Sequence, residues 1–172
     1  GDGLVMWAEG CDDGNLISGD GCSSGCQVEC GYTCGASRDA CETVCGDGLR
    51  AGSEECDDGN SAGGDGCSST CEVESGWTCS MATCRTSLCS TECGDGVRAG
   101  SEECDDGDLE SMDGCSYYCS VECGYTCGAS RDACETVCGD GLRAGSEACD
   151  DGNSAGGDGC SSTCDVEAGW TC

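Results

Sequence analysis

The sequence predicts a small disulfide-rich tandem-repeat protein of mostly turns and loops, with short strands and single helical turns, in an elongated array without a large hydrophobic core. The first observation behind this is cysteine content: 25 of 172 residues, roughly 15%, beyond the level at which a chain is read as a disulfide scaffold. The second is the scarcity of apolar side chains other than Cys and Ala, with no Phe at all, so cross-links must supply what burial cannot. The third is repetition. The sixteen residues Cys56 to Cys71 return unchanged at Cys149 to Cys164, with looser copies from Cys11 to Cys26 and from Cys104 to Cys119.

Cysteine spacing sets the organisation. A start signature Cys-Gly-Asp-Gly opens at Cys45, Cys93 and Cys138, and Gly1-Asp2-Gly3 is the same start without its cysteine. Ten residues, a cysteine, ten residues, a cysteine, three residues and a cysteine then follow: Cys45, Cys56, Cys67, Cys71; Cys93, Cys104, Cys115, Cys119; Cys138, Cys149, Cys160, Cys164; and Cys11, Cys22, Cys26. The repeats are therefore 1–44, 45–92, 93–137 and 138–172.

Beyond this shared half, two types alternate. Repeats one and three continue Val-Glu-Cys-Gly-Tyr-Thr-Cys, through Cys30 and Cys34 or Cys123 and Cys127, to Cys41 or Cys134. Repeats two and four continue with Gly-Trp-Thr-Cys to Cys79 or Cys172, and repeat two runs on to Cys84 and Cys89. Val28 to Glu54 is identical to Val121 to Glu147, an offset of 93 residues, so the true period is a pair of repeats and the chain reads as a window on a longer array. No signal peptide is visible, which reads as a mature segment.

Locally, DDG and GDG are expected as tight turns, with Gly at positive φ and Asp closing turns on the backbone. Cys67 to Cys71 is expected as one helical turn capped by Asp65, and Val73 to Cys79 as a short strand. Leu4 to Gly10 is more apolar than its counterparts and is expected to cap the array or meet a neighbour.

The cysteines are read as disulfides, because no Cys-x-x-Cys occurs and no His is present to complete a zinc site. So many thiols imply an oxidising, extracellular setting. Pairing stays open, but a full repeat holds seven cysteines and cannot close on itself. The extra ones, Cys30 or Cys123 in the Tyr type and Cys84 or Cys89 in the Trp type, are candidates for bridges between repeats or between chains. One of the 25 must stay unpaired within the chain.

Carboxylates form the second constellation. Asp12, Asp13, Asn15 and Asp20 recur as Asp57, Asp58, Asn60, Asp65, as Asp105, Asp106, Asp108, Asp113, and as Asp150, Asp151, Asn153, Asp158. Hard oxygens on a Gly-rich loop suit Ca²⁺, although the spacing is not that of an EF-hand; the alternative is that the acids are turn formers. Glu54, Glu102 and Glu147 are expected to pair with Arg50, Arg98 and Arg143.

A net charge of -29 with six Arg and no Lys excludes nucleic acid and anionic membrane surfaces and favours cations or basic partners; no apolar run would insert in a membrane. Near-identical acidic copies with no unique cleft and no His argue against an active site, so the chain is read as a non-enzyme. Asn-x-Ser/Thr is absent, leaving O-linked glycans on stretches such as Ser80 to Thr91.

The run Cys45-Gly46-Asp47-Gly48, then Cys56-Asp57-Asp58-Gly59-Asn60, Gly64-Asp65-Gly66-Cys67-Ser68-Ser69-Thr70-Cys71 and Gly76-Trp77-Thr78-Cys79 resembles the Myxococcus-type cysteine-rich repeat. The resemblance covers all four repeats and implies an extracellular disulfide module found in tandem, without an assigned activity. Met112 at the place of Gly64 departs from it and weakens the third acidic loop as a cation site. Two functions follow as expectations. One is a structural extracellular building block that self-associates into a fibre, filament or cell-surface stalk; the other is a calcium-dependent adhesin or matrix-binding module.

Overall fold

In the absence of an apolar core, the chain is ordered by cross-links and by turns closed on side-chain oxygens. The structure is a computed structural model that describes residues 1–128 and 133–172. It divides into two units, Gly1–Ser90 and Thr91–Cys172, so each holds about one pair of repeats.

Among the described residues, regular structure is confined to three two-stranded sheets. Strand β1 (Tyr32–Cys34) pairs antiparallel with β2 (Cys41–Thr43), β3 (Trp77–Cys79) pairs with β4 (Cys89–Thr91), and β5 (Tyr125–Cys127) pairs antiparallel with β6 (Cys134–Thr136). A disulfide staples each ribbon: Cys34–Cys41, Cys79–Cys89 and Cys127–Cys134, each with Cα atoms 4.0 Å apart. Two-stranded ribbons are marginal in water without such help.

The core of each repeat is sulfur. In repeat two Cys45–Cys71 encloses Cys56–Cys67, and these pack with Cys79, Cys89 and Val73. The same nesting recurs as Cys93–Cys119 around Cys104–Cys115 and as Cys138–Cys164 around Cys149–Cys160, while repeat one holds Cys11–Cys22. Among the described residues the buried hydrophobic set is cysteine plus Ala51. The disulfide-rich repeat architecture is thus as expected: sulfur fills the core, while the few large apolar side chains, Trp7, Ile17 and Leu88 among them, stay exposed.

Two local expectations are corrected. Cys67 to Cys71 forms no helical turn, and no helix occurs among the described residues. The Cys71 N–H donates to Ser68 O at 2.9 Å, the Ser68 N–H to Glu72 O at 2.9 Å, and Cys71 sits at φ 57°, so the chain reverses and Cys67 bridges Val73. A left-handed residue ends any helical path after one turn. The strand expected over Val73 to Cys79 shrinks to Trp77–Cys79, because Gly76 at φ 78° breaks the extended run. Gly66 shows why glycine stands before Cys67: at φ 111°, a Cβ there would lie 2.8 Å from Cε3 of Trp77, which lies against the backbone.

Candidate functional site

The acidic loop is assembled from two turns distant in sequence. The start turn Gly46-Asp47-Gly48 brings its N–H groups around the carboxylate of Asp57, the first acid after Cys56. Gly46 and Asp47 donate to Oδ2 at 2.9 and 3.2 Å, and Gly48 and Gly59 donate to Oδ1 at 2.8 and 2.9 Å. Asp57 is 0% exposed, and both of its oxygens are engaged. Asp105 and Asp150 repeat the arrangement with Gly94, Gly96 and Gly107, and with Gly139, Gly141 and Gly152. Asp12 takes Asp2, Gly3 and Gly14 in the same way. The Gly14 N–H most of all, then the Gly1 ammonium at 3.0 Å and the N–H groups of Gly3 and Asp2, hold Asp12 well below the usual carboxylate range. The Gly152 N–H, with those of Gly139 and Gly141, lowers Asp150 likewise.

An acid ringed by N–H dipoles is in an anion site, the inverse of what a cation needs. Asp12, Asp57, Asp105 and Asp150 thus organise the start turn through their oxygens, the role the sequence offers as the alternative to calcium ligation. Asn15, Asn60 and Asn153 each accept an N–H two residues on, from Ile17, Ala62 and Ala155, and donate Nδ2 to Asp20, Asp65 and Asp158. Asp108 accepts the N–H of Glu110.

The second acids differ. Asp58 has its pKa raised, chiefly by burial and then by the neighbouring Asp65 carboxylate, against one N–H bond from Asn60 that lowers it. Asp106 is raised in the same sense, by burial and by Asp113. Asp13 Oδ2 and Asp106 Oδ1 are shielded from water without a hydrogen-bond partner. The carboxylate set that the sequence groups as one thus divides into a backbone-bound member and a like-charged pair, Asp58 with Asp65 or Asp106 with Asp113.

Further carboxylates serve the backbone unannounced by the sequence. Glu74 accepts the N–H groups of Gly64 and Gly66, and Glu29, Glu122 and Glu167 do the same in their repeats. Glu54, Glu102 and Glu147 turn inward to accept the N–H of Ala51, Ala99 and Ala144, each leaving Oε1 buried without a partner. The expected ion pairs with Arg50, Arg98 and Arg143 do not form; Arg50 and Arg143 donate instead to the carbonyls of Glu55 and Glu147. The signal that could have shown this is the invariable pairing, within each repeat, of a Gly-Asp-Gly turn with a later acid.

The cysteine candidates separate as well. Cys30 of repeat one is joined to Cys84 of repeat two, and Cys89, expected as an inter-repeat cysteine, closes with Cys79 within its own repeat. Cys123 is free, as are Cys26 and Cys172, so three thiols stand unpaired where the count alone required one. Groups of three potential metal ligands such as Cys93, Asp105 and Cys119 consist largely of sulfur already in disulfides.

The Cys30–Cys84 bond fastens a strap, residues 81–87, along the edge of repeat two. The Cys84 N–H donates to Arg50 O at 2.9 Å, the Arg50 N–H to Arg85 O at 3.3 Å, and Arg50 Nη1 to Met81 O at 3.1 Å. The Thr86 hydroxyl donates to Gly48 O at 2.9 Å, and the Asp57 N–H donates to Oγ of Ser87, which is 3% exposed. Beside the clasp lies a groove of about 600 Å³ lined by Tyr32, Arg50, Ala51 and Cys84.

One family model, described as a domain of unknown function (DUF4215), matches four times, over residues 1–27, 28–72, 73–120 and 121–165. The chain belongs to the DUF4215 family. No curated protein and no solved structure matches. Four copies of one DUF4215 model, cross-linked as described, make this a cysteine-rich tandem-repeat protein. Eleven disulfides indicate an oxidising setting. No helix of the described residues is long and apolar enough to cross a membrane.

Proposed function

We propose that this DUF4215 chain is a structural extracellular protein, a building block of a fibre, filament or cell-surface stalk. The observation that carries the reading is the Cys30–Cys84 bond, which joins a Tyr-type repeat to the Trp-type repeat after it and so makes the pair a covalent unit. That pair is then copied nearly letter for letter, which suits a part repeated for its shape more than a recognition surface. The partner is further material of the same kind, the setting is outside the cell, and glycans, where present, are O-linked. Electron microscopy of native material tests the reading. Ordered filaments with a constant axial repeat support it, and isolated monomers under native conditions refute it.

The second reading, a calcium-dependent adhesin or matrix-binding module, is favoured by the Asp58/Asp65 and Asp106/Asp113 pairs, whose raised Asp members a divalent cation would relieve. Calorimetric titration with Ca²⁺ after chelation decides it: no heat and an unchanged melting temperature remove calcium from the account.

A further inference from the structure

Repeat three carries bulk where its sister repeats carry almost none. At the places of Gly64, Ser69 and Thr70 of repeat two it has Met112, Tyr117 and Tyr118. These side chains are 84%, 54% and 83% exposed. Their counterparts in repeat one, Gly19, Ser24 and Gly25, are exposed as well in the first unit, where the Cys30–Cys84 clasp is closed, so the three positions face outward in a clasped pair. The other two tyrosines of the repeats differ: Tyr32 and Tyr125 are half-buried and donate their hydroxyls to Gly19 O and Met112 O.

The three are neighbours on a fixed backbone. The Tyr117 N–H donates to Ser111 Oγ at 3.4 Å, as Ser24 does to Ser18 at 3.2 Å in repeat one, which sets the tyrosine turn against the residue before Met112. The Tyr117 and Tyr118 rings meet edge to face, with centroids 5.1 Å apart and planes at 88°. Cys104–Cys115 and Cys93–Cys119 bracket this turn. Met112 is held from both sides: its N–H donates to the Glu122 carboxylate at 2.6 Å, and its carbonyl accepts the Tyr125 hydroxyl at 2.7 Å. It keeps φ 84°, a left-handed conformation that glycine would hold without strain. Strain beneath so exposed a side chain gains no burial, and retained strain of this kind marks functional positions. Met and Tyr exposed together are also the residue types that interfaces favour.

Charge selects the occupant. Asp108, Glu110 and Asp113, all exposed, flank Met112 in the same loop, and the whole chain carries a net charge of -29. A second copy docked patch to patch would set these carboxylates against their own kind, whereas a cationic partner is drawn to them. Two tyrosine rings at right angles offer π faces to a cation. A guanidinium, planar and weakly hydrated, stacks there better than an ammonium, and its N–H groups pair with carboxylates at the rim. A methionine thioether beside the rings adapts to the partner's shape. We infer that Met112, Tyr117 and Tyr118 form a docking patch for a basic, Arg-bearing polypeptide segment, with an Arg side chain against the tyrosine pair. The partner is then a different polypeptide from the array. This goes beyond the building-block reading and does not lean on it: the array supplies shape, and repeat three supplies a point of attachment.

The test uses the full chain, with its native disulfides intact, and a dye-labelled synthetic peptide of alternating Gly and Arg, titrated at about 0.15 M salt so that diffuse attraction is screened. The comparison chain carries Met112→Gly, Tyr117→Ser and Tyr118→Thr. These restore the loop of repeat two, keep every charge and ask for no backbone that the protein does not already adopt. Fluorescence anisotropy should show the Arg peptide bound about tenfold more tightly by the native chain than by the restored loop, with a smaller ratio for the Lys counterpart. The ring resonances of Tyr117 and Tyr118 should shift on binding while those of Tyr32 stay in place. Tyr118→Phe, which keeps a ring face, should bind as the native chain does. No binding of the Arg peptide, equal affinity of native and restored chains, or equal affinity for a Gly-Glu peptide overturns the inference. So does self-association of the native chain that the restored loop abolishes in sedimentation, because the occupant is then a second copy.

Discussion

Replacing Asp57 with Asn separates the two roles open to the acidic loops. Asn keeps the size of Asp and one acceptor oxygen, but turns the other acceptor into an NH₂ that faces N–H donors. Of the four N–H groups held at 2.8 to 3.2 Å, the two on one carboxylate oxygen lose their acceptor. Each orphaned donor in a shielded site costs about 1 to 3 kcal/mol, so the substitution should cost about 4 kcal/mol of local stability. The readout is hydrogen exchange at the Gly46, Gly48 and Gly59 amides in EDTA, with disulfides intact, because global melts of a cross-linked array blur a local opening. Those amides should exchange about a thousandfold faster in Asp57→Asn, a factor of ten for every 1.4 kcal/mol. Asp58→Asn, which touches one exposed N–H bond, should move them by less than about 1 kcal/mol. Unchanged protection in Asp57→Asn together with a lost response to Ca²⁺ would refute the reasoning and return Asp57 to the metal ligands.

Four further outcomes follow from the geometry. Asp150 titrates below its unfolded value, so its contribution to stability is present above the ordinary Asp pKa of about 3.9 and is lost as pH falls through the lower folded value. Asp58 and Asp106 titrate above theirs, so they favour the folded state most at low pH, and that contribution disappears as pH rises through the folded pKa; melting curves of Asp58→Asn against the native chain across acid pH should show this slope removed. Reduction should unfold the chain outright, since among the described residues only Ala51 joins cysteine in the buried hydrophobic set and each bridge typically supplies about 2 to 4 kcal/mol; retained amide dispersion in excess reductant would contradict it. Met112 occupies φ 84° where the sister loops have glycine at 93° and 101°, so Met112→Gly should raise local stability by roughly 0.5 to 1 kcal/mol, read by exchange at the Glu122-bound amides of residues 112 and 114.

Much of the fold was legible in the sequence because it rests on local chemistry. Cysteine rhythm marks a repeated disulfide framework, though not its pairing, and Asp-Gly runs mark turns that the structure closes as Asx contacts, such as the Leu49 N–H on Asp47 and the Asn60 N–H on Asp58. What stayed hidden is non-local. A carboxylate after a cysteine looks the same whether it meets a cation or four amides, since both use its lone pairs; the difference lies in where Gly46 to Gly48 come to rest. The helical turn failed for a related reason: Ser68, Ser69 and Thr70 suit the start of a helix or a reverse turn equally, and the Cys67–Val73 bridge selects the turn. Disulfide partners were likewise beyond sequence counting, which left one cysteine over where the structure leaves three.

The alternation of Tyr and Trp types has a physical reason in the two hairpin loops. In repeat one the connection between β1 and β2, residues 35–40, is short, and Arg38 O accepts the N–H of Asp12. In repeat two the connection between β3 and β4, residues 80–88, is longer, and Ser87 Oγ accepts the N–H of Asp57. Both loops therefore perform one local task, satisfying the amide of the acid that organises the start turn. Only the longer loop has the reach to carry an extra cysteine to the preceding repeat, and only the Tyr-type repeat holds an odd cysteine, Cys30, to meet it. Two Tyr-type repeats in succession would leave thiols without partners, and so would two Trp-type repeats. Pairing of unlike repeats closes the cysteine count, and a chain lengthened by copying can keep that count closed only when it copies the pair.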